Sequence, residues 1–341
     1  MFKPLAALTA LVAALTLTGC ASAEQEANPL PTESVEQKDS LVLYSGRSED
    51  LIQPLIDMFT AETGIKVEVR YAGSAELAAQ ILEEGENSPA DVFLSQDAGA
   101  LGAVAKATLF EFVPTETLAK VDRIYSDLEG YWVGVSGRAR ILTYDPAKVT
   151  ELPTSVFDLA EPKWKGRIAI APTNASFQAF VTAMRVLEGN EVTSLWLSAM
   201  KENAVIFEKN GAILDAVDAG QVDAGLINHY YWHAKAKEVG AENMKAQLSA
   251  FAPGDLGNLV NVAGAGIVND NSASRAFMDF LLSTSAQTYF AEQTAEYPLI
   301  PGISIIPGLT PLSEVKSPDI DLSNLDTLGE TLELIRAAGL L

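Results

Sequence analysis

The stretch Leu41-Val42-Leu43-Tyr44-Ser45-Gly46-Arg47-Ser48-Glu49-Asp50-Leu51 decides how this chain is to be read. Residues 41–44 are apolar or aromatic and suit a strand, and a short polar loop, 45–48, follows them. Leu51, Leu55, Ile56 and Phe59 then recur at helical spacing. This strand, loop, helix pattern continues down the chain. Residues 66–71 alternate as a strand, 74–84 form a helix with Leu77, Ile81 and Leu82, and 91–94 read as a buried strand. Further along, 132–135, 141–144, 167–171, 205–208 and 224–228 read as extended, with helices over 178–187 and 213–219. After 260–262, the run Ala263-Gly264-Ala265-Gly266 leads into two helices carrying Phe277, Phe280 and Leu281, then Tyr289 and Phe290. Strands alternating with helices imply an α/β fold with a mostly parallel sheet covered on both faces. No internal repeat is evident.

Continuous alternation over 341 residues, 48% of them hydrophobic, is too much for one comfortable sheet, so two lobes with a cleft are expected. Ligands of open α/β sheets bind beyond the carboxyl ends of strands. Loops 45–48, 95–99, 172–176 and 228–231 each follow a strand and precede a helix, which makes them the candidate site loops.

At the N-terminus Lys3 precedes an apolar stretch, 5–17, too short to span a bilayer as a permanent helix. Residues 1–19 therefore read as a secretory signal. Leu17-Thr18-Gly19-Cys20 resembles the bacterial lipoprotein signal, in which the cysteine becomes the lipidated first residue of the mature chain. Cys20 is the single cysteine, so an internal disulfide and a thiolate metal site are both ruled out. Residues 20–40, with Glu24, Glu26, Pro29, Pro31 and Glu33, read as a disordered tether between membrane and domain. With no second segment long enough to span a membrane, a domain tethered outside the cytoplasm is expected. A net charge of −22 argues against nucleic acid or an anionic lipid surface as partner.

The residues most suggestive of chemistry lie in Leu226-Ile227-Asn228-His229-Tyr230-Tyr231-Trp232, where two adjacent phenols sit at the start of a helix. Tyr has an ordinary pKa of about 10, the helix N-terminus favours negative charge, and a hard cation can complete the deprotonation. Paired phenolates suit ferric iron better than softer divalent ions. The competing reading is that the three aromatics simply pack the helix on the core. His229 and His233 are the only histidines, which excludes a three-imidazole site. His229 is expected to point away from the tyrosines, and His233 is a weak ligand candidate.

Loop 172–177, Pro172-Thr173-Asn174-Ala175-Ser176-Phe177, offers backbone N–H groups and short donors suited to an oxyanion, with Asn174 or Ser176 as helix cap. Asn210 and Asn228 either add amide donors to that anion or serve as ordinary turn and cap residues. Arg47 and Arg138 are the cations nearest the expected cleft, able to pair bidentately with carbonate or phosphate, and Arg140 competes for that role. Tyr44 and Tyr144 end strands and turn either to the cleft or, the safer expectation, into the core. No phosphate-binding loop, nucleophile elbow or acid/base spacing is present, so no catalysis is expected.

Taken together, 44–49, 91–99, 136–140, 163–167, 172–177, 228–232 and Glu296-Tyr297-Pro298-Leu299 resemble the ferric-iron-binding lipoproteins and periplasmic proteins that feed ABC importers. The order and spacing of these segments across nearly the whole mature chain carry the resemblance. It implies a type II periplasmic-binding-protein fold, two α/β lobes crossed twice by the chain and closing on a ligand. The N-terminal lobe is expected over 41–138 and 264–341, the C-terminal lobe over 139–263. It further implies that Tyr230 and Tyr231 hold Fe(III), with a synergistic anion (carbonate or phosphate) received by Asn174, Ala175, Ser176, Asn210 and Asn228.

Two departures thin the ligand set. Some family members carry a His after the first strand and a Glu after the Asp-Val-Phe strand, where this chain has Ser48 and Gln96; others carry a third tyrosine at Asn174. Exogenous anions and water, or else Gln96, Tyr144 or an arginine-held carbonate, then complete the shell. The expected role is capture of ferric iron by a monomeric lipoprotein for delivery to an ABC permease. The alternative within the same fold is a binding protein for an oxyanion or small organic anion without metal.

Overall fold

The computed structural model describes residues 35–341. The expected secretory signal, Cys20 and most of the expected tether lie outside the described residues. In chain order the elements are β1 (Ser40–Ser45), α1 (Glu49–Thr63), β2 (Lys66–Tyr71), α2 (Ser74–Glu84), β3 (Val92–Ser95), α3 (Ala98–Lys106) and the single turn α4 (Thr115–Leu118). The long strand β4 (Trp132–Tyr144) follows, then β5 (Ile168–Ile170), α5 (Ala175–Asn203), β6 (Ala204–Ile206), α6 (Asn210–Asp218), β7 (Ala224–Asn228) and α7 (His229–Val239). The chain closes with β8 (Gln247–Ser249), β9 (Val260–Ile267), α8 (Ser272–Leu281), α9 (Thr284–Gln293), β10 (Tyr297–Pro298) and α10 (Leu328–Ala337).

The strands form one curled sheet in the order β2-β1-β3-β9-β4-β7-β5-β6, with β8 and β10 paired to β4. Each end is parallel, β2-β1-β3 and β7-β5-β6, but β9 and β4 join them with antiparallel pairings. The mostly parallel sheet expected from βα alternation is therefore corrected to a mixed one. The reason is that the two joining strands return between lobes without a crossover helix. β4 hands over within itself: Ala139 opposes Val260 of β9, and Arg140 opposes Asn228 of β7. The two extended pieces 132–135 and 141–144 are thus one strand, irregular between Gly134 and Ser136.

Burial explains the patterning. β1 and β3 lie inside the sheet and are nearly all buried, whereas β2 is an edge strand whose Lys66, Glu68 and Arg70 stay in water and discourage further pairing. Helix α1 buries Ile52, Leu55, Ile56 and Phe59 and stops at Gly64, whose φ of 76° lets its N–H reach Thr60 O. The span α5 holds two helices that meet at Gly189, whose φ of 84° and ψ of 166° are not helical, so the first of them stops close to the expected 187.

Two segments behave differently from expectation. Residues 35–40 are docked, not free: Glu36 bridges to Asn271, and Lys38 Nζ lies 2.8 Å from Asp91 Oδ1. Asp91, almost fully buried, draws them in by also accepting from Val42 N and Asn271 Nδ2. The C-terminal segment reaches both α3 and α5. Its residues 322–326 lie on α3, where a Cβ at Gly99 would meet Leu325 O at 2.5 Å, while α10 packs on α5. Arg185 of α5 holds Thr327 O and Thr331 Oγ1, each at 3.1 Å, and Glu330. Among the described residues no helix is long and apolar enough to cross a membrane.

Candidate functional site

The carboxyl ends of the strands converge on a cavity of about 610 Å³. Arg47 follows β1, Gln96 follows β3, Asn174 follows β5, and Tyr230 with Tyr231 follow β7; all line it. Arg138 enters from β4, and Ser48, Leu51, Lys209, Gly211, Ala212 and Asp215 complete the wall. Period-two alternation puts Arg138 and Arg140 on one face of β4, and both guanidiniums act electrostatically on the tyrosines.

The rings of Tyr230 and Tyr231 stack 4.4 Å apart at 26°. Burial raises the Tyr230 phenol above its ordinary pKa, and neighbouring Tyr231 adds to this, while Arg138 pulls the other way. Left alone, the Tyr230 phenol keeps its proton at neutral pH.

Around them lies an excess of buried positive charge. Arg47, 5% exposed, donates from Nη2 to Glu296 Oε1 at 2.8 Å, and Ser136 Oγ donates to Glu296 Oε2 at 2.6 Å. Burial works against the Arg47 charge, but Glu296 outweighs it and holds the guanidinium above its usual pKa. Burial likewise works against the Glu296 carboxylate, and Arg47 followed by Arg138 keeps it below the usual carboxylate range. Glu296 acts on Arg47 and Arg138, and Asp97 also acts on Arg138, yet these carboxyls do not satisfy every donor of the three guanidiniums. Arg47 Nη1, Arg138 Nε, and both Nη1 and Nη2 of Arg140 are buried without a hydrogen-bond partner. Arg140 lies over the Phe177 and Phe180 rings, and burial pushes its pKa down to about 10. Buried donors left unpaired are costly, so the arrangement calls for an acceptor with several oxygens.

Asn174 caps α5, accepting from Ser176 N at 3.0 Å and Ser176 Oγ at 2.6 Å. Ser176 Oγ in turn accepts from Asn210 Nδ2 at 3.2 Å, leaving Asn210 Oδ1 buried and unpaired. Asn174 thus lines the cavity, with Ser176 and Asn210 bonded behind it and Ala175 opening the helix. Asn228 is buried at the end of β7.

Tyr144 does not join this group. It pairs with Ala224 and Gln247; because β4 runs antiparallel to β7, four residues beyond Arg140 carries it roughly 13 Å back from the cleft end. Tyr44 is buried, its hydroxyl donating to Glu84 at 3.0 Å. His229 faces away from the cavity, and His233 is buried beside it. Glu296, Ser136 and Lys209 had no place in the sequence-based site. A lone acidic residue 249 positions from its arginine leaves no local signal of the pairing. Among the described residues no group of three or more His, Cys, Asp or Glu is placed to hold a metal, so a metal in this cavity would rely on the phenols.

A cleft between two α/β lobes, lined from strand ends, is the architecture of the type II periplasmic binding proteins. The chain belongs to the bacterial extracellular solute-binding proteins, whose family model matches residues 41–293. It is similar to the Fe(3+)-binding periplasmic protein of Serratia marcescens, 36% identical over 91% of this chain and 93% of that one. It also resembles the major ferric iron-binding protein of Neisseria meningitidis serogroup B, 36% identical over 88% and 93%. Among solved structures, iron-bound HitA from Pseudomonas aeruginosa superposes with a TM-score of 0.81 at 35% identity, covering 88% of this chain and 99% of that one. A Trichodesmium protein (IdiA, FutA) in complex with iron and citrate gives 0.77 at 30%, covering 89% and 100%.

Proposed function

We propose that this protein captures ferric iron together with a small anion outside the cytoplasm and delivers it to an ABC importer. The observation that carries this is the stacked phenol pair in a cavity that Arg47 and Arg138 also line, each with a buried guanidinium nitrogen that lacks an acceptor. Tyr230 and Tyr231 supply two phenolates when the trivalent ion displaces their protons. The anion, carbonate or phosphate, occupies the space bounded by Arg47, Arg138 and Asn174, and it bridges metal to protein. Ser176, Ala175, Asn210 and Asn228 shape its loop, and Gln96, in the wall of the same cavity, completes the shell with water.

The relatives named above support the metal, and citrate beside iron in one of them supports an exogenous anion in this role. The two lobes, 41–138 and 139–263 with the later chain shared between them, close by rigid-body motion about β4 and β9. Lipidation at Cys20 would keep the protein beside its permease, and one lobe pair acting as a monomer is sufficient. The protein has no reaction to catalyse. A second reading, an oxyanion bound without metal, draws on the same unpaired guanidinium nitrogens. Adding ferric citrate to the purified protein separates the two: a new visible band from phenolate-to-iron charge transfer supports the first, and anion binding with no band supports the second.

A further inference from the structure

One buried side chain next to the tyrosines has both of its polar atoms committed elsewhere. His229 is 1% exposed, and its Nδ1 lies 3.1 Å from the backbone N of Ala139 while its Nε2 lies 2.8 Å from Ala295 O. A backbone N–H can only donate, so Nδ1 is the acceptor and the proton sits on Nε2, donating to the carbonyl. The ring also lies against Tyr297, centroids 4.6 Å apart at 31°. Ala139 is the last residue of β4 paired to β9, at the point where that strand passes between lobes. The 295–297 segment belongs to the other side of the cleft: Glu296 holds Arg47 and Ser136, and Tyr297 pairs with Gly137.

The backbone of Ala295 adds an independent sign. Its φ of 56° is left-handed, a region where a residue with a Cβ is uncommon and persists when surrounding contacts over-determine it. That conformation presents the carbonyl to His229 immediately before the chain delivers the Glu296 carboxylate to Arg47. A single imidazole thereby ties the residue before Tyr230 to the residue before Glu296.

We infer that His229 is a positioning residue that sets the two phenols relative to the Arg47–Glu296 pair across the interlobe junction, without touching the metal. The inference rests on the proposed iron site and concerns how its geometry is kept. Helix α7 carries the tyrosines as its second and third residues, so a shift of its first residue moves both hydroxyls together. The bridge fails if either of its two hydrogen bonds is lost, because the remaining one lets the helix end pivot.

The test compares the full-length protein with its His229→Asn and His229→Gln variants. Asn reaches the Ala139 N–H but not the Ala295 carbonyl; Gln is long enough for the carbonyl. Iron is loaded with ferric citrate, and the readouts are the charge-transfer maximum and the rate of iron release to a competing chelator. Each variant keeps only one of the two hydrogen bonds, so both His229→Asn and His229→Gln are expected to shift the band and to release iron about tenfold faster. Either variant that folds is enough to decide. Parental band position and release rate in the folded variants overturn the inference, as does a lowered melting temperature with both readouts unchanged, which marks His229 as core packing. A parent protein that shows no band at all instead overturns the iron reading beneath it.

Discussion

Tyr230 and Tyr231 are consecutive residues of one helix, yet their rings stack 4.4 Å apart. Neighbours in a helix ordinarily project about 100° apart and do not face each other. Stacking at the first turn brings both phenols to one cavity and sets two potential anionic ligands side by side at a positive helix end.

Removing either hydroxyl should therefore disable the site while leaving the fold intact. Tyr230→Phe and Tyr231→Phe are each expected to lose the visible band and to weaken iron binding by more than about 100-fold, above the range seen when only a supporting partner of a metal ligand is removed. Absorbance titration checks the binding, and circular dichroism checks that each variant remains folded.

The raised Tyr230 pKa gives a proton balance. A phenol held above its ordinary value by burial is protonated near neutrality, so metal binding must expel the proton. Affinity should then rise with pH and fall in acid, and a weakly buffered titration should release roughly two protons per iron. Iron binding with no proton release would remove the phenolates from the account.

Arg140 is kept buried and charged at the expense of stability. Its pKa is pushed down to about 10 by burial. For a basic group, a folded value below the unfolded one means the penalty is present at every pH beneath about 10 and amounts to about 3 kcal/mol. Arg140→Met should accordingly stabilise the ligand-free protein by about 1–3 kcal/mol in urea denaturation.

Glu296 works in the opposite sense. Removing the carboxylate in Glu296→Ala leaves Arg47 buried and uncompensated, which is expected to cost about 3–5 kcal/mol. Because Arg47 and Arg138 hold the Glu296 pKa below its unfolded value, the stability it contributes is present above that unfolded value and is lost as pH falls through the folded one. The parent should therefore lose stability below about pH 4, and Glu296→Ala should show less of that acid-linked loss. Chemical denaturation across pH checks both.

Much of the architecture was legible because local pattern and burial agree. The apolar run 41–44 and the spacing of Leu51, Leu55, Ile56 and Phe59 correspond directly to β1 and α1. The site loops could be found because they follow strands, a rule that also placed Arg47, Gln96, Asn174 and the tyrosines on one cavity. Long-range pairing was not legible. Whether β4 and β9 run parallel or antiparallel depends on partners more than a hundred residues away, and Arg47 meets Glu296 only through the fold. Tyr144 stayed open between cleft and core for a related reason: strand direction decides which end of β4 reaches the cleft. The docking of α10 on α5 depends on Arg185 finding Glu330 and Thr331, contacts with no periodic signature.

The most direct test of the central claim is a visible-absorbance titration of the purified protein with ferric citrate, repeated with carbonate or phosphate present. The account expects a band that saturates with iron, responds to the anion, and is absent from Tyr230→Phe and Tyr231→Phe. No band in the parent protein under any of these conditions, or an undiminished band in both variants, would contradict it.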